Sequence, residues 1–285
     1  MYEVEHILSV ENHIGESPQW NVEEQAFYWI DLWPGIIYRY KPDSALYQIF
    51  NLGIPIGAIS FRASGGLVLA TKDGFAFWDS TTAQLEFISN PESDREFRFN
   101  DGKVDRQGRF WAGTMIEGST KPVGSLYRLD PDLSIHTMDT GMILTNGIGW
   151  SPDNRTMYYN DTLKQCMYAY DFNASSGAIT NRRIFIQYPP DTNPDGLTVD
   201  SEGYIWCALC KAYKVVRYDP TGAIDREVQL PGIFTLSCIF GGKNLDELYV
   251  TTGWLENKEK QQVFAGDLFR IKTDVRGLPE PAFTG

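Results

Sequence analysis

Two kinds of apolar segment alternate along this chain. Their recurrence constrains the fold more than any other feature, because an internally periodic sequence builds by stacking copies of one unit. The first kind spans 28–31, 67–70, 110–113, 157–160, 205–208 and 248–251, and the second follows at 37–40, 75–78, 126–129, 167–170, 215–218 and 268–271. Tight turns such as 105–108, 151–154 and 200–203 precede the first kind, with another apolar stretch before the turn. Each unit therefore reads as strand, turn, strand, loop, strand, with period-2 alternation and β-branched or aromatic enrichment. About six such units, spaced by roughly 37 to 53 residues, match the blades of a propeller. The expected fold is an all-β, six-bladed β-propeller occupying 1–285 as a single domain. No sustained helical period occurs, and an all-β sandwich would not need a sixfold recurrence. A strand within 4–10 is expected to join the last blade and close the ring, since an open ring leaves an unpaired edge.

Four polar segments share one phase of this repeat: Gly15-Glu16-Ser17-Pro18, Phe99-Asn100-Asp101-Gly102, Thr145-Asn146-Gly147 and Pro194-Asp195-Gly196. Each is expected to precede the first strand of a blade, which puts Glu16, Asn100, Asp101, Asn146 and Asp195 at the mouth of a central channel. The matching positions near Ile56 and Thr235 carry no charge. Loops between second and third strands are expected over the same mouth, bringing Trp33, Glu117, Asp161, Tyr213 and Trp254 within reach. Two of these loops, 117–123 and 255–265, are long enough to act as lids. Carboxylates with an amide oxygen form a hard donor set suited to Ca²⁺, Mg²⁺ or Mn²⁺, and carboxylates also take Zn²⁺ and Fe²⁺. Buried carboxylates without a counter-charge would repel until one is protonated, and a cation resolves that conflict.

Other chemistries find little support. The three histidines, His6, His13 and His136, lie away from the recurring position, and no zinc-protease or serine-hydrolase motif occurs. A formal net charge of −12 argues against nucleic acid or an anionic membrane surface as partner. The chain opens without a basic, apolar leader, so cytoplasmic residence is expected. Cys166, Cys207, Cys210 and Cys238 suit a reducing compartment, and Cys207 and Cys210 are expected to be buried apolar thiols rather than a redox pair.

The motifs at 15–18, 98–105, 108–115, 124–127, 145–147, 194–196 and 240–242 together resemble those of the senescence marker protein/gluconolactonase/luciferin-regenerating enzyme family. The resemblance spans nearly the whole chain. It implies a divalent ion held by Glu16, Asn146 and Asp195, with Ca²⁺ the first expectation and Zn²⁺, Mn²⁺ or Fe²⁺ the others. It further implies that Arg98 and Asn100 contact sugar hydroxyls, that Glu117 is an acidic substrate contact offset by one residue, and that Asp195 is the general base. The implied reaction is metal-assisted hydrolysis of a sugar lactone, gluconolactone-like, to the aldonic acid. Asp101 is expected just behind these groups. A calcium-binding regulatory propeller with little turnover is the alternative, and a protein-interaction propeller is a third reading. A monomer or weak dimer is expected.

Overall fold

The computed structural model describes residues 2–92, 94, 96–190, 192–231, 234–254 and 262–285. Most of the lid segment expected at 255–265 therefore lies outside the described residues. Strand β1 (Val4–Leu8) is followed by the first blade, β2 (Gly15–Asn21), β3 (Ala26–Asp31), β4 (Ile36–Lys41) and β5 (Leu46–Asn51). The second holds β6 (Ile56–Phe61), β7 (Leu67–Thr71), β8 (Gly74–Asp79) and β9 (Gln84–Ser89); the third β10 (Phe97–Val104), β11 (Phe110–Ile116), β12 (Gly124–Leu129) and β13 (Ile135–Met142). The fourth holds β14 (Thr145–Trp150), β15 (Thr156–Asp161), β16 (Cys166–Asn173) and β17 (Ala178–Gln187); the fifth β18 (Pro194–Val199), β19 (Ile205–Leu209), β20 (Lys214–Tyr218) and β21 (Ile224–Gln229). The sixth is β22 (Phe234–Gly241), β23 (Glu247–Gly253) and β24 (Leu268–Lys272).

These strands form six four-stranded antiparallel sheets, and β1 supplies the outermost strand of the sixth by pairing with β24. Each inner strand touches the next, and β22 touches β2, so the blades close into a ring. The six-bladed all-β propeller read from the repeat is the observed architecture, and the N-terminal strand closes it as expected. Helical structure among the described residues is confined to two 3₁₀ turns, Pro42–Ser44 and Cys210–Ala212.

The repeated aromatics become the seams between blades. Trp111, Trp150, Tyr159, Tyr170 and Phe172 fill one seam, and Trp20, Phe27, Trp29 and Tyr249 fill another. Rings of this size dominate the apolar burial that holds blade to blade. The Asp-x-x-Gly turns are the hairpins from inner to second strand, and they are braced from within. Asp105 Oδ2 accepts Trp111 Nε1–H at 2.9 Å and Arg109 Nε–H at 2.7 Å; Asp200 Oδ2 likewise accepts from Trp206 Nε1 at 3.0 Å and Arg217 Nε at 2.9 Å. One buried carboxylate thus satisfies an indole and a guanidinium that would otherwise be costly to bury.

The chain after β24 crosses the face of the ring on which these hairpins lie. Gly277 N donates to Leu245 O and Ser201 N to Arg276 O; further on, Phe283 N donates to Phe61 O and Thr284 N to Gly108 O. This C-terminal strap ties hairpins of the sixth, fifth, second and third blades together, with Phe283 fully buried. Lys103 Nζ reaches from the third blade to Leu197 O at 3.2 Å and faces Glu280 of the strap at 3.5 Å.

Candidate active site

Every inner strand is irregular at the same point. Register shifts break the pairing between Glu16 and Gln19, Ile56 and Ala58, Phe99 and Asp101, Asn146 and Ile148, Pro194 and Leu197, and Thr235 and Ser237. The four polar segments therefore lie within the first residues of β2, β10, β14 and β18, not ahead of them as their sequence positions had implied. A bulge inserts an unpaired residue and re-aims its side chain. Asn100 and Asp195 fall in the unpaired stretch of their strands, and Glu16 and Asn146 are the last paired residues before the break; all four line one cavity of about 270 Å³. Gly147 permits the tight approach this requires, since a Cβ there would stand 2.4 Å from Asp195 O.

Glu16, Asp101 and Asp195 are all buried. Burial, with Asp195 and Asp101 close by, holds the Glu16 carboxyl well above the usual carboxylate range, and burial beside Asp101 does the same to Asp195. Burial pushes Asp101 up to about 6. Glu16 and Asp195 line the same cavity and the Asp195 charge disfavours that of Glu16, an arrangement that a proton or a cation relieves. Asp195 Oδ1 is buried and receives no hydrogen bond from the described residues. Asp101 lies below the cavity, where the channel narrows to a space of about 10 Å³ that it lines with Lys103, Ser17 and Ser237. Its backbone neighbour Gly102 N donates to its Oδ1 at 2.7 Å.

A chain of hydrogen bonds runs from the rim to the floor. Arg98 Nε and Nη2 donate to Glu117 Oε2 at 3.0 and 2.6 Å, and Arg98 Nη1 donates to Asn100 Oδ1 at 2.6 Å. Asn100 Nδ2 donates to Thr145 O at 2.6 Å and Asn146 Oδ1 at 3.2 Å. Asn146 Nδ2 then donates to Thr162 Oγ1 at 2.9 Å, whose hydroxyl donates to Pro194 O at 2.7 Å, one residue before Asp195. With its nitrogen committed to Thr162, Asn146 offers its oxygen, and an amide oxygen keeps a lone pair after accepting one bond. Arg98 is buried and its charge disfavoured by that burial, so Glu117, mostly exposed at the rim, supports it. Trp33 adds a ring 5.0 Å from the guanidinium carbon.

Two carboxylates, one with an oxygen that has no hydrogen-bond partner among the described residues, and an amide oxygen at the floor fit a divalent cation. Among the described residues no three His, Cys, Asp or Glu side chains are grouped to hold an ion, so a site here depends on the Asn146 amide.

Not every expected residue belongs to the cavity. Asp161 is a correction: its carboxylate turns back into the backbone, accepting Ile143 N at 3.0 Å and Leu144 N at 3.2 Å. Asp31 does the same for His13 N and Ile14 N, both at 3.0 Å, so this is a bracket repeated between blades. Tyr213 packs on Phe234, and Trp254 stacks on His13 with centroids 4.2 Å apart. Thr162, Asn193 and Lys211 line the cavity although they were not foreseen. Thr162 had one available signal, its place directly after a second strand. Cys207 and Cys210 are buried free thiols, as expected, and so are Cys166 and Cys238.

A propeller ring with a ligand cavity at one end of its channel and a bulge-built cluster of carboxylates and amides at its floor is the class defined by fold and site. The chain belongs to the SMP-30/gluconolactonase/LRE-like family, which it matches over residues 14–253. It is 35% identical over 294 residues to regucalcin of Xenopus laevis, covering 99% of this chain and 98% of that one. It is 32% identical over 279 residues to 6-deoxy-6-sulfogluconolactonase of Pseudomonas putida, with 95% of each covered. The fold also superposes on that of a calcium-binding protein, regucalcin from Agrobacterium tumefaciens strain C58, with a TM-score of 0.92 at 24% identity, covering 99% of this chain and 97% of that chain. Lactone hydrolysis is an activity of this family, alongside members named regucalcin.

Proposed function

We propose that this protein hydrolyses a sugar lactone, gluconolactone-like, to its aldonic acid, with a divalent ion held by Glu16, Asn146 and Asp195. Ca²⁺ is the first choice of ion, with Zn²⁺, Mn²⁺ or Fe²⁺ the others. The observation carrying this reading is the pair of buried, mutually repelling carboxyl groups at the cavity floor, one with an oxygen that no donor among the described residues reaches. When bound, the ion supplies positive charge that draws electron density from the ester carbonyl and offsets the oxyanion. Asp195 takes a proton from the attacking water as the water oxygen bonds to the carbonyl carbon, and the proton then passes to the departing ring oxygen. Arg98, held by Glu117, stands along the wall as a donor for sugar oxygens, and Asn100, whose nitrogen is committed to Thr145 and Asn146, offers its oxygen to a sugar hydroxyl. Residues 1–285 act as one domain in this reading, and the four free thiols favour a cytoplasmic setting.

A calcium-binding regulatory role is the second reading, favoured because the same oxygen donors suit Ca²⁺. An assay of five- and six-membered aldonolactones with and without chelator separates the two. Turnover should vanish in chelator and return with added ion. Asp195→Asn should lose on the order of 10² to 10⁴-fold in turnover, the range for removing a general base, and saturating ion should not restore it. A wild type that binds the ion but hydrolyses none of these lactones would leave the regulatory reading standing.

A further inference from the structure

Among the described residues, the cavity contains one cation that no carboxylate pairs with. Arg98 is committed to Glu117 and Asn100, and Lys164, from the neighbouring loop, lies 3.5 Å from Asp161 Oδ2 and donates to Gly141 O. Lys211 also lines the cavity, is exposed, and has no hydrogen bond or ion pair among the described residues. Its position is built rather than incidental. Lys211 sits in the 3₁₀ turn Cys210–Ala212, which is closed by Tyr213 in the left-handed conformation at φ 55°. Cys210 N donates to Asn193 O at 2.9 Å, so the turn is anchored two residues from Asp195 and cannot move independently of the floor. The thiol side of this turn is buried against Phe234 and Leu236, leaving the lysine as the side chain that meets solvent and cavity together.

A protein with a formal net charge of −12 repels small anions on approach. A cavity meant for neutral sugars gains nothing from an unpaired ammonium at its rim, whereas a substrate with an acidic group needs one. The floor groups fit the carbonyl end of a lactone, so the end remote from the carbonyl faces the rim. Resting on the lactonase reading, we propose that Lys211 is a specificity-determining residue selecting sugar lactones that carry an anionic group, carboxylate or phosphate, at the end remote from the carbonyl. The ammonium forms a charge-assisted hydrogen bond with that group, stronger than one between neutral partners. It also steers anionic lactones inward against the protein's overall field.

The test compares kcat/KM for glucono-1,5-lactone with that for 6-phosphoglucono-1,5-lactone and for glucaro-1,4-lactone, in wild type, Lys211→Gln and Lys211→Arg. The readout is the ratio of anionic to neutral substrate. Lys211→Gln should lower that ratio by about tenfold or more, as expected for losing one charge-assisted contact, while Lys211→Arg keeps most of it. Added NaCl should depress the ratio in wild type and much less in Lys211→Gln. The anionic substrate whose ratio falls further identifies carboxylate or phosphate as the group selected. An equal ratio in wild type and Lys211→Gln overturns the selectivity while leaving lactone hydrolysis intact. A wild type that turns over none of the three lactones overturns the lactonase reading, and the selectivity with it.

Discussion

At the scale of single residues, the cavity floor is an electrostatic conflict that the fold tolerates. Glu16, Asp101 and Asp195 hold protons more tightly in the fold than in the unfolded chain, where carboxylates titrate near 4. Between that value and the folded one, about 6 for Asp101, the folded state carries more protons, so stability falls as pH rises through this window. Below the window the penalty disappears, and above it the penalty is complete. A bound divalent ion compensates the ionised form. Melting in chelator should therefore be less favourable at pH 8 than at pH 5, by a margin that shrinks in Asp101→Asn. Added Ca²⁺ should raise Tm more at pH 8 than at pH 5. An ion effect independent of pH would place the cation away from these three carboxyls. Glu16, Asn146 and Asp195 were legible in the sequence because they share a phase of the repeat. Lys211 was not, and Thr162 was marked only by its place after a second strand, since loop side chains declare their direction only once the backbone path is known.

At the scale of elements, the recurring bulge of the inner strands turns a repeat into a site. An unbroken strand would alternate its side chains between its two faces, whereas here the broken strands β2, β10, β14 and β18 bring Glu16, Asn100, Asn146 and Asp195 to one cavity. The sequence located the polar segments but placed them before the strands, because a bulge leaves no mark in period-2 alternation beyond a glycine. Asp161 was misread for a related reason: a carboxylate at a strand end has the same spacing whether it faces the mouth or brackets the preceding loop. Gly147→Ala tests the close approach of neighbouring inner strands. Its Cβ would meet the Asp195 carbonyl oxygen at 2.4 Å, a backbone atom that cannot rotate away. Urea unfolding should show a loss of about 1–3 kcal/mol, as for other overpacked positions, together with weaker ion binding because Asp195 is displaced. Unchanged stability and ion affinity would mean that the strands separate without cost.

At the scale of the whole molecule, the ring is joined at both ends of the chain. Strand β1 completes the sixth blade, and the strap after β24 laces four hairpins across the opposite face. The repeat made the first closure predictable, since an unpaired β24 edge would be an aggregation hazard. It said nothing of the strap, whose residues follow the last repeat and obey no period. Removing residues 1–10 should lower Tm by more than about 5 °C, corresponding to the loss of a few kcal/mol from a domain of this size. An unchanged melting curve would show that the sixth blade holds without its outer strand.

The strap also decides the traffic. Below Asp101 the channel narrows to pockets of about 10 and 30 Å³, the lower one lined by Leu278, Pro279, Glu280 and Pro281 of the strap itself, room for no more than water. The ring is thus a cup and not a tube. In the proposed reaction, whatever enters over Lys211 and Glu117 leaves by the same doorway, and the acid product has to back out past the next molecule waiting to come in.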